Sequence, residues 1–342
     1  MKSHNLPKTT RIHVTVTREM LELRKKGILY KKFTFKMHLL KNFSKLLIKP
    51  APLSRMNFLK VLCMNVMDEP VSKGLLTSVV RKIDYHKKLK HIDIDFEPPY
   101  SDRYILGNYD LMKLSKGLQK LRELQIIHLN FRRCDKITNS AFSKLAYSIS
   151  MLPNIKHLDL NLQRCQKAFY YLSDNISKLK YLECIRLDFT WCHVTSNKIT
   201  NLFQQVLELN NLKSLELFFK SCSNISTINT IPRIPHKLSN KLSLEKLHLD
   251  FSGCSWVTDD DIPQLFLFIP KLKNLSILEI GLAWCCLSDK GVALISKYIN
   301  ELKNLSHIDF NMINCPISRA ALDDLSMLLE NHPKINTCKV SY

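Results

Sequence analysis

The frame Leu-x-x-Leu-x-Leu-x-Phe-x-x-Cys constrains this chain more than any other feature. It stands at Leu244 to Cys254 as LEKLHLDFSGC and recurs as LQIIHLNFRRC (Leu124 to Cys134), IKHLDLNLQRC (Ile155 to Cys165) and LECIRLDFTWC (Leu182 to Cys192). It returns as LKSLELFFKSC (Leu212 to Cys222), LSILEIGLAWC (Leu275 to Cys285) and LSHIDFNMINC (Leu305 to Cys315). With LKHIDIDF at Leu89, the copies start at 89, 124, 155, 182, 212, 244, 275 and 305, which is 27 to 35 residues apart. A period in this range marks a stacked repeat architecture, in which no unit buries its apolar side alone and each completes its core against its neighbours.

The stretches between copies read as the returning half of each repeat. Thr258 is placed to cap a helix, and Asp259 to Asp261 sit favourably at its positive end. Leu287-Ser288-Asp289, Ile137-Thr138-Asn139 and Ile317-Ser318 repeat that signal, and Gly291 to Leu305 has the apolar spacing of a helix with one buried face. The segment after Cys165 is shorter and lacks a capping residue. Proline-bearing insertions are expected at 97 to 109 and 224 to 240. Towards the N-terminus, residues 1 to 10 read as a tail, Ile12 to Val16 as a strand and Arg18 to Lys26 as a helix. Degenerate copies start near 30 and 59, so residues 1–58 are expected to form a basic cap and 59–342 the array. Ile335, Val340 and Tyr342 mark a last strand.

Strand, turn, cysteine, Ile-Thr/Ser-Asp/Asn and helix together resemble the leucine-rich repeat family, in its cysteine-containing and ribonuclease-inhibitor-like classes. The resemblance is strong over residues 59 to 342 and weak over 30 to 58. It implies an α/β solenoid shaped as a horseshoe, with parallel strands on the concave face and helices on the convex face. One departure is the pair of extra residues before the cysteine, with Phe131, Leu162, Phe189, Phe219, Phe251 and Leu282 at the added inward position; it implies a longer strand.

Composition narrows the function classes. Seven glycines in 342 residues, about a third of the usual ~7%, leave little for phosphate-cradling loops. No P-loop, nucleophile elbow or His-Glu-x-x-His motif occurs, so no catalytic activity and no cofactor are expected. No run of 18 apolar residues is present, and the N-terminus lacks a signal peptide's apolar stretch. Seven of the eleven cysteines hold one repeat position, which reads as a small buried side chain in a reducing, intracellular, cytoplasmic setting. Cys63, Cys184 and Cys286 are the more exposable thiols.

The positions that can carry function are the third, fifth and seventh of each copy, which share the outward face of the strand. Of these 24 positions, eight are acidic, two are basic (Arg186 and Lys246) and five are histidine, a net charge of −6 in a chain of net +21. Such a face repels phosphates and attracts a basic protein segment. The expected contacts are Asp93, Asp95, His128, His157, Asp159, Asp188, Glu216, His248, Asp250, His307 and Asp309, acting by charge complementarity and hydrogen bonds. Metal binding is not expected, because flat ladders splay donors that must converge to ~2.0–2.2 Å from an ion.

These readings point to a protein-interaction scaffold. Cysteine-containing repeats also resemble those behind an F-box, which suggests a substrate-recognition subunit with ubiquitin-ligase components as partners, although no F-box-like helical segment precedes the array. A third reading places RNA, another acidic partner or an anionic membrane on residues 1 to 60, which carry 15 Lys and Arg against Glu19 and Glu22.

Overall fold

The structure is a computed structural model. It describes residues 34–38, 61–65, 83–84, 87–98, 106–165, 175–222 and 243–342, with the first two segments as backbone. The expected tail, strand and helix within 1–26, the insertion at 224–240 and the stretch 166–174 lie outside the described residues. The chain divides into two compact units, Met1–Ile155 and Lys156–Tyr342.

In the first unit β1 (Thr34–His38), β2 (Val61–Asn65), β3 (His91–Asp95) and β4 (Ile126–Asn130) pair in parallel in chain order. The second holds β5 (His157–Asn161), β6 (Cys184–Asp188), β7 (Ser214–Phe218), β8 (Lys246–Asp250), β9 (Ile277–Gly281), β10 (His307–Asn311) and β11 (Thr337–Ser341), again parallel and in order. Each strand occupies positions three to seven of its copy. The register sets like position against like, as in Arg186 opposite Glu216 and Glu216 opposite His248. This is the parallel α/β arrangement that the frame requires.

Helices connect the strands. α1 (Asn108–Leu118) and α2 (Asn139–Ser150) belong to the first unit. The second contains α3 (Ser196–Leu207), the short α4 (Ile262–Phe266), α5 (Asp289–Ile299) and α6 (Arg319–Glu330). The capping signals hold: Thr138, Ser288 and Ser318 are the N-caps of α2, α5 and α6. The 97–109 insertion ends earlier than expected, because α1 begins at Asn108 behind the Gly107 cap. The connection after Cys254 is broken into a 3-10 turn (Asp259–Asp261), α4 and a second 3-10 turn (Ile269–Lys271), where Pro263 and Pro270 remove backbone donors.

Acidic and amide side chains also tie helix starts together. The Ser288 backbone N–H donates to the Asp259 carboxylate at 2.9 Å, Ser318 does so to Asp289 at 2.7 Å, and Thr138 to Asn108 at 2.8 Å. Gly291 leaves room for this at α5, since a Cβ there would run into the Asp259 carboxylate.

The core consists of ladders. Positions four and six are buried in the eight copies that start at 89 to 305, and position eight adds a buried row that is mostly phenylalanine. Phe189 stacks on Phe219 at 5.7 Å between centroids, and Phe219 on Phe251 at 5.3 Å. In the first unit Phe96 stacks on Phe131, which meets Phe142 of α2 edge-on. The expected longer strand is corrected, because every described strand ends at position seven and positions eight to eleven form a turn. The cysteine backbone N–H closes it onto the position-eight carbonyl, as in Cys254 to Phe251 at 3.0 Å. The residue before the cysteine is then left-handed in all seven copies: Arg133, Arg164, Trp191, Ser221, Gly253, Trp284 and Asn314 have φ between 51° and 75°.

The turn also explains the cysteines. Six of the seven thiols donate to the position-eight carbonyl of the preceding copy, among them Cys192 to Leu162 at 3.0 Å, Cys222 to Phe189 at 3.2 Å, Cys254 to Phe219 at 3.1 Å and Cys315 to Leu282 at 3.1 Å. Burial pushes the thiol of Cys254 up to about 12 and raises those of Cys134, Cys192, Cys222 and Cys285 as well. These sulfurs are neutral donors in a dry core, without the thiolate that reactive chemistry needs. An asparagine ladder joins the copies elsewhere. Asn154 donates to the Arg122 carbonyl at 2.9 Å, Asn211 to Lys180 at 2.8 Å and Asn304 to Lys273 at 2.6 Å.

Candidate functional site

The outward rows of β5 to β11 form the candidate surface of the second unit. Alternation places positions three and five on the solvent side, and the register brings each within reach of its counterpart one strand away. The result is a linked chain of ion pairs. Arg186 lies 3.4 Å from Asp159 and 3.5 Å from Glu216. Lys246 lies 3.0 Å from Glu216 and 3.2 Å from Glu279. Glu279 also meets His248 Nδ1 at 2.7 Å and His307 Nε2 at 3.9 Å, and Lys339 reaches Asp309 at 3.3 Å.

The acids of this net-acidic face therefore stand paired with cations. Asp159, Glu216, Glu279 and Asp309 alternate with Arg186, Lys246 and Lys339, so the row is patterned in both signs. Burial works against the charge on Lys246, but Glu216 and Glu279 outweigh it and hold its pKa above the ordinary value.

Position seven does something else. Asp188 and Asp250 are only 4% and 5% exposed, so neither is an open contact. Each folds back to accept the backbone N–H two residues on, Thr190 for Asp188 and Ser252 for Asp250, both at 3.0 Å. Asn161 and Asn311 make the same turn with Gln163 and Ile313. Asp188 also accepts from Gln163 Nε2 at 2.6 Å, and Asp250 pairs with Lys220 at 2.8 Å. Gly281, at position seven of β9, leaves space for the Asp250 carboxylate, which a Cβ would strike. In the first unit Asp95 accepts from Glu97 N–H at 3.0 Å and from Asn130 at 2.8 Å; burial raises its pKa, with the Glu97 and Asp93 charges adding to the rise.

The histidines are half-buried. His248 sits edge-on to Phe218, with ring centroids 4.6 Å apart. Burial lowers its pKa from 6.5, outweighing the upward pull of Glu279, Asp250 and Glu216, while Lys246 adds to the lowering. The folded state thus refuses a proton that the unfolded chain accepts. Stability contributed by His248 is present above pH ~6.5 and is lost as the pH falls through the lower folded value. Denaturant titrations between pH 7 and 5 should show His248→Gln losing stability less steeply on acidification than wild type. An unchanged slope would mean the ring makes no such contribution.

His91, Asp93 and His128 come together in the first unit. Their donor atoms all lie within 4.8 Å of one another. His157 is half-buried on β5. Cys286 is exposed and Cys184 half-buried, whereas the side chain of Cys63 lies outside the described residues. Among the described residues no helix is long and apolar enough to cross a membrane.

No family model matches the chain. Over 248 residues it is 22% identical to human NACHT, LRR and PYD domains-containing protein 5, a match covering 66% of this chain and 19% of that protein, so it spans about a fifth of this relative's length. Among solved structures it resembles yeast Rad7 in its complex with Elc1, with a TM-score of 0.50 and 16% identity over 89% of this chain and 72% of that one. An internalin from Listeria monocytogenes aligns over 91% of this chain and 72% of its own, with a TM-score of 0.44 and 12% identity. Repeat and register, with the likeness to the yeast structure, give the chain a leucine-rich-repeat fold.

Proposed function

We propose that the chain is a non-catalytic scaffold that docks a protein partner on the outward strand face of its second unit. The carrying observation is the run of ion-paired side chains at positions three and five. These groups point to solvent, stand on rigid paired strands and repeat at a fixed spacing. Such a row offers a partner both charge signs and several hydrogen-bonding groups without a loop having to order first. A basic segment suits Asp159, Glu216 and Asp309, the acids of the row that lie within the expected contact set, with His248 and His307 beside them. Asp188 and Asp250 fall outside this contact set, because their oxygens are engaged in turns. The yeast relative was solved bound to a second protein, which is in keeping with a protein partner. A reducing compartment suits thiols that act as core donors.

The test is capture from lysate by the full chain and by a variant carrying Asp159→Asn, Glu216→Gln and Asp309→Asn. The three changes remove acid from exposed positions and leave the turns intact. A partner retained by wild type and lost by the variant at least tenfold supports the reading. Retention by the variant, with loss on deleting residues 1 to 60, would move the working surface to the basic segment. Recovery of ligase adaptor subunits with either chain would favour the ubiquitin-ligase role.

A further inference from the structure

We propose that His91, Asp93 and His128 bind one divalent transition-metal ion of the zinc class. Two adjacent strands of the first unit fix the three donors. His91 and Asp93 are two residues apart on β3 and so share a face, and Asp93 lies directly opposite His128 of β4 in the pairing register. The two imidazoles already meet edge to face, with centroids 5.1 Å apart and planes at 74°. All three side chains are half-buried, which limits their freedom while leaving the outer side open.

The spacing suits an ion. Donor atoms within 4.8 Å of one another need close only a little, since a metal at ~2.0–2.2 Å from each holds tetrahedral donors about 3.3–3.6 Å apart. Rotations about the side-chain torsions cover that difference. The donor set selects the metal. Two imidazole nitrogens and one carboxylate oxygen suit zinc, cobalt or nickel, whereas magnesium and calcium prefer oxygen alone. Three protein ligands leave a fourth position open to water.

A second observation points the same way. In the second unit the strand-face acids Asp159, Glu216, Glu279 and Asp309 each have a Lys or Arg within 3.5 Å. Asp93 takes part in no such ion pair among the described residues, and Asp95 two positions on adds a second carboxyl to the same face. Among the described residues Asp93 lacks the neutralising charge that each acid of the other row has, and a bound cation would supply it. This inference is independent of where a protein partner docks.

The test is calorimetric titration of the full, reduced, chelator-stripped chain with zinc chloride, in a background where the exposed Cys286 and Cys338 are changed to Ser. One equivalent should bind, and His91→Gln, Asp93→Asn and His128→Gln should each weaken it on the order of 10- to 100-fold or more. Magnesium and calcium should not compete. Cobalt chloride should give the visible bands of a four-coordinate ion. Because misfolding of a variant would also abolish binding, zinc should protect His91 and His128 of the unmutated chain from acylation by diethylpyrocarbonate, read by peptide mass. Zinc binding that survives all three changes, an absence of binding, or unprotected histidines at saturating zinc would each overturn the site.

Discussion

Phe219→Ala is expected to destabilise the second unit by about 3–5 kcal/mol. Phe219 is fully buried and stacks on Phe189 from one side and Phe251 from the other. Truncation removes the ring's own burial, opens a cavity that strand pairing on both sides prevents from collapsing, and breaks two aromatic contacts worth roughly 0.5–1.5 kcal/mol each. Phe219→Leu should be much milder, since Leu162 and Leu282 hold the same position two copies away on either side and are fully buried there. Denaturant unfolding of the three proteins would decide it. A loss below 1 kcal/mol for the alanine variant would show that the copies rearrange around the gap and that the ring ladder is dispensable.

The second large effect concerns Asp250. Asp250→Ala should cost about 1–3 kcal/mol, because it leaves the Ser252 N–H without its acceptor at the strand end. Asp250→Asn should be nearly neutral. Asn161 and Asn311 make this turn natively with the same geometry, and the bridge lost to Lys220 has one partner well exposed to water. The comparison separates two roles for one side chain. If asparagine proved as damaging as alanine, the charge and its pairing with Lys220 would matter more than the turn. The same result bears on Gly281, whose missing Cβ makes room for the Asp250 carboxylate.

Both predictions rest on features that were only partly legible in the sequence. The spacing of Leu, Phe and Cys gave strand positions, side-chain faces and like-for-like register, because a fixed period with a buried face admits only one stacking. The Ser/Thr capping signal located the starts of α2, α5 and α6 for the same local reason. The asparagine ladder was also there to be read, since Asn154, Asn211 and Asn304 each stand just before the first apolar residue of a copy. The left-handed turn was not. Its usual marks are glycine and asparagine, yet only Gly253 and Asn314 carry them, while Trp191 and Trp284 hold the same conformation with their rings 54% and 64% exposed. A bulky residue there costs about 1–2 kcal/mol of local strain, tolerated because the Trp191 and Trp284 N–H groups bond to Lys220 and Ile313 of the next copy.

What the sequence by itself determined is the repeat, its parallel strands and the list of residues on each face. Those follow from periodicity, which is local and additive. Only the tertiary structure decided which outward residues are available and what they do. Net charge is a sum over positions, and the sum of −6 was correct as arithmetic, but attraction depends on distances between residues about 30 positions apart. Those distances pair Asp159, Glu216, Glu279 and Asp309 with cations and bring His128 beside His91 and Asp93, while turns two residues long engage Asp188 and Asp250.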